Sequence, residues 1–195
     1  MNKTIRIFTI LLVISSKLCA FKEEDLQKLY TQNTCIGCDL TNVNLSEKDL
    51  TGANLKRANL TGANLTRVNL SFANLTGADL TGANLTGVNL QWANLRETNL
   101  QEANISIAGL SYTKLEKANL SRAYLLGTQL NGANLTEANL AGAIIDQALL
   151  ISTNLKGANV EGTIFRNILL DGKVLFQEWF YRLTEEQKKG IKLLY

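Results

Sequence analysis

The 195-residue sequence contains neither histidine nor proline. Without histidine, catalytic triads and proton shuttles that rely on imidazole are excluded, as are metal sites with histidine ligands. Without proline, other residues must make every turn of the chain, and the 14 glycines are the natural candidates.

An excess of charge of either sign is also missing beyond the N-terminus. The formal net charge is +3, and three basic residues, Lys3, Arg6 and Lys17, lie in the first 20 residues, which contain no acid. The rest of the chain holds 17 basic and 17 acidic residues. A nucleic-acid-binding surface needs a basic excess to neutralise phosphates, so we expect no nucleic-acid partner.

Residues 1–20 have the pattern of a secretory signal peptide. A basic start is followed by a short apolar run over 7–14 and by the small residue Ala20 at a plausible cleavage point. The run is far shorter than the ~20 residues needed to span a bilayer, so we expect cleavage and no integral membrane span in the mature chain. The protein is therefore predicted to be exported, either periplasmic or secreted, into an oxidising compartment.

A five-residue period runs through most of the chain. Every fifth residue from Leu40 to Leu170 is apolar, and Leu fills 23 of these 27 positions. Two residues earlier 16 of 27 are Ala, and one residue earlier 19 of 27 are Asn or Asp. Neither a helix nor a plain strand has this period. Five residues can make one side of a square, with the Leu and the small residue both pointing inward.

Glycine marks the corners of this square. Twelve of the 14 glycines stand two residues after the inward Leu position. A type II turn needs a positive φ at its third residue, which glycine adopts without strain. We therefore expect type II turns at the corners.

Stretches such as Ala53-Asn54-Leu55 and Ala83-Asn84-Leu85 resemble the pentapeptide-repeat family. The resemblance covers roughly residues 35 to 170. It implies an all-β solenoid, the family's right-handed quadrilateral β-helix, with about seven coils over residues 35–172. Solenoids need caps at both ends.

The flanking segments predict these caps. Phe21, Leu26, Leu29 and Tyr30 stand among the charged residues 22–25, and 21–34 is therefore predicted to be a short amphipathic cap helix. Residues 173–195 form the predicted C-terminal cap segment, in which 184–187 is a capping box that opens a helix carrying Ile191 and Leu194 inward. Lys48 occupies a position that should be small, so we expect its stem to snorkel and the coil to be loose there.

Residues 20 apart stack vertically in such a column, so the sequence can be read as a surface map. Phe72, Trp92 and Tyr112 replace glycine at one corner in consecutive coils. We expect this corner to abandon type II geometry. The three rings are interpreted either as a structural stack or as a candidate surface for a protein partner. Opposite charges 20 apart, such as Arg96 and Glu116, predict ion pairs between coils.

Two adjacent sides turn apolar near the end of the repeat. The residues concerned are Tyr124, Leu126, Ile144, Leu149, Ile151 and Ile164, and a tail that contains Trp179 and Phe180 follows. An exposed apolar patch of this kind usually marks a contact. Either the tail folds back over the patch, or the patch and the tail form a homodimer.

Cys35 and Cys38 form a C-x-x-C motif at the start of the repeat, where both occupy inward positions. We interpret them as a buried thiol pair or a disulfide under the N-terminal cap. A zinc site would need two more ligands, and none is evident. We expect no cofactor, no metal and no catalytic residue.

The sequence therefore predicts an exported, non-enzymatic scaffold or protein-binding module of the cell envelope. The family resemblance implies one alternative, a DNA mimic that binds topoisomerases and confers quinolone resistance. The ten acids and ten bases of residues 35–170 depart from that pattern. A second alternative is a thiol–disulfide protein that uses Cys35 and Cys38.

Overall fold

The computed structural model describes residues 21–171, residues 184 and 185, and the backbone of 191–193. The predicted signal peptide over 1–20 and the tail residues Trp179 and Phe180 lie outside the described residues. Among the helices of the described part, none has both the length and the apolar character needed to cross a membrane.

The regular elements are few because most pairing between coils involves one residue at a time. They are α1 (Glu23–Gln32), β1 (Tyr124–Leu126), β2 (Ile144–Asp146), β3 (Ile164–Arg166), β4 (Ile168–Leu170) and β5 (Ile191–Leu193). Strands β1, β2 and β3 form one parallel sheet, and β4 pairs in parallel with β5.

The chain winds so that each residue lies beside the residue 20 positions later. Asn64 pairs with Asn84 in parallel, and the same offset recurs along the column. The Leu65 N–H donates to Asn84 O at 2.8 Å, and the Asn84 N–H donates to Ala63 O at 2.9 Å. A turn every five residues divides each circuit into four sides. We name them by their outward residues: side A (Asp39, Asn59 and on to Asn159), side B (Asn44 to Ile164), side C (Asp49 to Leu169) and side D (Asn54 to Asn154).

Every corner has the same backbone conformation. At each position two residues after the inward Leu, from Gly37 to Asn167, φ is positive and lies between 48° and 70°. Most corners are closed by a hydrogen bond such as Ala53 N–H to Leu50 O at 3.0 Å. These features match the predicted type II turns.

The prediction that the corner of Phe72, Trp92 and Tyr112 abandons this geometry is wrong. Their φ angles are 61°, 62° and 59°, as at the glycines. The ladder explains the result, because each corner N–H must reach a carbonyl of the next coil. The Trp92 N–H, for example, donates to Ser111 O at 3.2 Å. The hydrogen bonds to the next coil thus fix the backbone, and the aromatic residues have the same left-handed φ as the glycines.

The inward Leu and small residues fill the core, as predicted. From Leu40 to Leu170 the inward positions are buried. Threonine in the small position is also buried because its hydroxyl finds a backbone acceptor. The single hydroxyl proton of Thr113 is shared between Leu110 O at 2.7 Å and Leu90 O at 3.0 Å, which links two coils.

Lys48 lies outside this core. Its side chain is exposed, and Nζ lies 5.8 Å from the ring centroid of Tyr30. The coil is not loose at this point, because the Lys48 N–H donates to Leu45 O at 3.1 Å and the Asn69 N–H donates to Lys48 O at 2.9 Å. The backbone ladder therefore tolerates the loss of one small inward residue.

Helix α1 packs on the first coil through Leu26 and Leu29, which belong to the same buried cluster as the repeat core. Three acids, Glu23, Glu24 and Asp25, stand in its first turn, where the helix dipole favours negative charge. The helix ends at Gln32 and is capped by Asn33, which has a left-handed φ of 50° and donates its N–H to Leu29 O.

The C-terminal prediction needs a correction. Glu185 is helical, but Ile191–Leu193 is strand β5, so a helix that carries Ile191 inward is wrong. Strand β5 pairs with β4 in the register Ile168↔Ile191, an offset of 23 residues instead of 20. Backbone pairing to the last free edge of side C takes precedence over the local helix signal.

Candidate interaction surfaces

The aromatic ladder consists of Phe72, Trp92 and Tyr112 at the corner between sides C and D. The rings of Trp92 and Tyr112 are stacked, with centroids 4.3 Å apart and planes inclined by 10°. The Tyr112 ring leans over Gly132, because a Cβ built on that glycine would lie 2.6 Å from Tyr112 Cε1. The three side chains are 65%, 52% and 51% exposed. They form a ridge of rings on an otherwise polar corner.

This ridge is not what the backbone alone favours. A left-handed φ costs a residue with a Cβ roughly 1–2 kcal/mol, and glycine avoids that cost. Gly52 and Gly132 occupy the same corner before and after the ladder. Stacking returns only about 0.5–1.5 kcal/mol for the Trp92–Tyr112 pair. Charged residues such as Arg57 and Glu97 bear the same backbone cost at other corners, so the ladder is set apart by its exposed rings in three successive coils and not by the loss of glycine.

The apolar face lies on side B and consists of Ile107, Tyr124, Leu126, Ile144 and Ile164. Tyr124, Ile144 and Ile164 stand side by side in β1, β2 and β3. Ile144 is half-buried, while the other four residues are exposed. Earlier coils carry asparagine in this row, where Asn104 Oδ1 accepts the Ser106 N–H at 3.1 Å. The face is therefore a flat apolar sheet that replaces a polar one.

The rest of the predicted patch is less accessible. Leu149 and Ile151, on side C and at its corner, are half-buried. Leu149 pairs with Leu169 of the next coil. The Ile151 N–H donates a hydrogen bond to Asn131 Oδ1 at 3.1 Å within the column. Within the predicted patch, the exposed apolar side chains accordingly lie on side B.

Ion pairs connect the coils, as predicted. Arg96 lies 2.6 Å from Glu116, whose Oε1 also accepts a hydrogen bond from Asn134 Nδ2 at 2.9 Å. Arg122 lies 3.5 Å from Glu102. Such exposed pairs contribute about 0–1 kcal/mol each, so they support register more than stability.

Cys35 and Cys38 are joined by a disulfide, with Cα atoms 5.3 Å apart. Both residues are buried beneath α1, and Cys35 Sγ lies 2.9 Å from Asp25 O. The bond thus resolves the choice between thiol pair and disulfide in the described structure. Burial of both sulfurs gives the thiol–disulfide alternative no accessible nucleophile.

Asp25 joins the cysteines to the helix, a role that the sequence analysis missed. Its carboxylate and the two sulfurs lie within 4.8 Å of one another, a grouping that could hold a metal. The sulfurs are bonded to each other, however, and both carboxylate oxygens are used. Oδ2 accepts the Asp39 N–H at 3.0 Å, and Oδ1 accepts from Lys28 Nζ at 3.1 Å. The hydrogen bond from Asp39 is the main reason that the pKa of Asp25 is lowered.

Ile107 was also missed, although the sequence carried a signal for it. This residue is 69% exposed and has a φ of 59° at a corner where Gly87 and Gly127 stand one coil before and after. Residues other than glycine are common at the corners, but most of them are polar or charged, so an apolar side chain at this position is the signal, as it is in the aromatic ladder.

Twenty-residue coils, left-handed corners and a Leu-filled interior define a β-solenoid built from five-residue repeats. The sequence profile of the family described as pentapeptide repeats matches the chain in eight copies, over residues 35–71, 63–101, 103–142 and 128–167. The chain belongs to the pentapeptide-repeat family. The family's solved structures imply that the β-helix is right-handed.

Solved structures similar to the chain include a trypsin-treated form of QnrB1, a plasmid-mediated fluoroquinolone resistance protein. It is 22% identical, with a TM-score of 0.56, over 83% of this chain and 80% of that one. HetL from Nostoc sp. strain PCC 7120, involved in heterocyst differentiation regulation, is 32% identical over 70% of this chain and 68% of its own, with a TM-score of 0.45. No curated protein matches the sequence.

Proposed function

We propose that this protein is an exported, non-enzymatic scaffold of the cell envelope that binds a protein partner through the aromatic ladder. The observation that carries the proposal is the ladder itself. Its three residues present exposed aromatic rings at one corner in successive coils, between Gly52 and Gly132 of the coils before and after. Aromatic residues are enriched at the contact points of protein interfaces, where they supply large areas with few rotatable bonds.

The proposed scaffold is a column of about seven coils over residues 35–172. Helix α1 would cap its first coil through Leu26 and Leu29, and the C-terminal segment would cap its last coil, where β5 continues side C. Such a column presents its four sides as rigid surfaces, because each coil is hydrogen-bonded to the next.

A scaffold role fits the chemistry of the outside better than catalysis does. The interior is packed with Leu and Ala, and the carboxylates of the repeat stand singly on outward positions, often paired with a cation of the next coil. The likeness to QnrB1 concerns the fold at 22% identity. The balanced charge of residues 35–170 gives a DNA-like surface no support.

The ladder is tested by photo-cross-linking in living cells. A benzophenone amino acid replaces Gln91, which is exposed beside the ladder, or Arg122, which is exposed at the diagonally opposite corner. We expect position 91 to give a discrete adduct with a different protein, and position 122, which adjoins side B, to give no adduct with a different protein. The adduct should disappear when Phe72, Trp92 and Tyr112 are all changed to Gly, a residue that the same corner carries at positions 52 and 132. An adduct that survives this change contradicts the proposal.

Export is tested separately by cell fractionation. The protein with its first 20 residues should be found in the periplasm or the medium with Phe21 as its N-terminus, and a chain without them should stay in the cytoplasm. Uncleaved full-length protein in the cytoplasm would contradict the export part of the proposal while leaving the ladder open to its own test.

A further inference from the structure

The apolar face of side B has no described covering. Tyr124, Leu126 and Ile164 are 52%, 43% and 38% exposed, and they lie on the flat three-stranded sheet of β1, β2 and β3. Asparagine occupies the same row at positions 44, 64, 84 and 104. Its amide oxygen accepts a hydrogen bond from the backbone N–H two residues later, as Asn84 Oδ1 accepts the Thr86 N–H at 3.1 Å. Tyr124, Ile144 and Ile164 cannot form this hydrogen bond to the corner, so we attribute the apolar side chains in this row to a contact outside the coil.

The described parts of the C-terminal segment lie elsewhere. Thr184 borders a cavity of side A together with Gly157 and Gly162, and β5 extends the ladder of side C beyond β4. Neither point lies on side B. The described residues of the C-terminal segment therefore lie beside the face and not upon it.

Charge at the edge of the face is self-complementary. Asp146 ends β2 and Arg166 ends β3, in direct register, and each stands two residues after the outward isoleucine that begins its strand. Asp146 Oδ1 accepts a hydrogen bond from Asn167 Nδ2 at 3.1 Å, and no ion pair to the exposed Arg166 is found within the described residues. One acid and one base thus stand one coil apart on the rim of an apolar surface.

We propose that side B is the interface of a homodimer in which two columns pack face to face and antiparallel. A twofold axis in the interface plane, perpendicular to the column and between the levels of Ile144 and Ile164, places Ile144 of each chain against Ile164 of the partner chain. The same operation brings Arg166 of each chain towards Asp146 of the other, so both ion pairs form at once. An interface of this isologous kind needs a patch that complements itself, and the two levels of Ile144 with Asp146 and Ile164 with Arg166 have that property.

This inference goes beyond the proposed function, since the aromatic ladder lies on the corner between sides C and D and stays free in such a dimer. The dimer would present two ladders on one particle. Binding of a partner and assembly of the chain can therefore fail independently.

The test measures molar mass by light scattering and the dissociation constant by sedimentation equilibrium, on the protein purified from the cell envelope. We expect a dimer. Ile144→Asn with Ile164→Asn should raise the dissociation constant about 100-fold, because two central apolar contacts are lost in each half. Asparagine is safe for the fold because Asn84 and Asn104 fill the same row. Leu149→Asn on side C is the matched control and should change the dissociation constant less than about threefold.

Exchanging the charges of Asp146 and Arg166 tests the antiparallel arrangement of the two columns. Asp146→Arg alone and Arg166→Asp alone should each weaken the dimer roughly tenfold, and the double exchange should restore it. A folded wild-type monomer overturns the proposal, as does a dimer that is insensitive to the asparagine variants. Failure of the double exchange to rescue either single change overturns the antiparallel pairing.

Discussion

Two glycine-to-alanine substitutions separate the backbone cost of a corner from every other contribution. Gly82 has a φ of 63° and no atom within 4 Å of a built Cβ, so Gly82→Ala adds strain but no clash. The left-handed conformation costs about 1–2 kcal/mol, and the stiffer unfolded chain returns about 0.4–1 kcal/mol. The free energy of unfolding should therefore fall by roughly 0.5–1 kcal/mol.

Gly109→Ala is the matched control. Gly109 occupies an outward position of side C, its φ lies outside the left-handed region, and the nearest atoms to a built Cβ are 3.6 Å away. Here only the unfolded-state effect remains, and stability should rise by about 0.4–1 kcal/mol.

Urea unfolding followed by circular dichroism gives both midpoints, and equal slopes for the two variants show that the same cooperative unit unfolds. The reasoning is refuted if Gly82→Ala is as stable as Gly109→Ala. That result would mean that the left-handed φ of a corner costs a residue with a Cβ nothing, and that Phe72, Trp92 and Tyr112 carry no backbone cost.

Three further perturbations probe the contacts within the column. Asp25→Asn should lose about 1–2 kcal/mol at pH 7 by thermal or urea unfolding, since a charged acceptor for Asp39 N–H and Lys28 is removed. Because the pKa of Asp25 is lowered in the folded state, its contribution is complete above the ordinary carboxyl pKa and disappears as the pH falls through the lowered one; a stability difference that grows in acid would contradict this. Gly132→Ala should cost more than Gly82→Ala, because its Cβ meets the Tyr112 ring at 2.6 Å, and Tyr112→Gly in the same chain should remove the extra loss. Leu85→Ala, at a fully buried inward position, should cost about 2–5 kcal/mol in the same assay, and a smaller loss would indicate a core that collapses around the gap.

The period of five was enough to predict the column, because every side repeats the same inward pair. Leu85 and Ala83 point inward for the same reason as their counterparts in any other coil. Position in the repeat also placed the ion pairs, since a 20-residue coil brings Arg96 beside Glu116. Both predictions rest on the five-residue spacing of apolar residues, which the sequence repeats over 27 positions.

The errors arose where local propensity was preferred to that rule. Bulky residues such as Trp92 disfavour a left-handed φ when considered alone, but the coil fixes the angle through hydrogen bonds to its neighbour. The capping box at Thr184 predicts a helix, while the free edge of side C offers Ile191 a parallel partner. The contact of Asp25 with the cysteines depends on how α1 folds back, which no repeat describes.

The 20-residue register makes the surface sensitive to the length of an insertion more than to its composition. A duplicated stretch of 20 residues would lift everything after it by one level and leave all four sides aligned. Five extra residues, one complete repeat with a perfect consensus, would instead rotate the later coils by a quarter turn. Inserted between Phe72 and Trp92, such a repeat would fold without strain and yet move Phe72 to a different corner from Trp92 and Tyr112. Each inserted repeat of five residues therefore shifts the later residues by one side, and only an insertion of four repeats returns every residue to its original side.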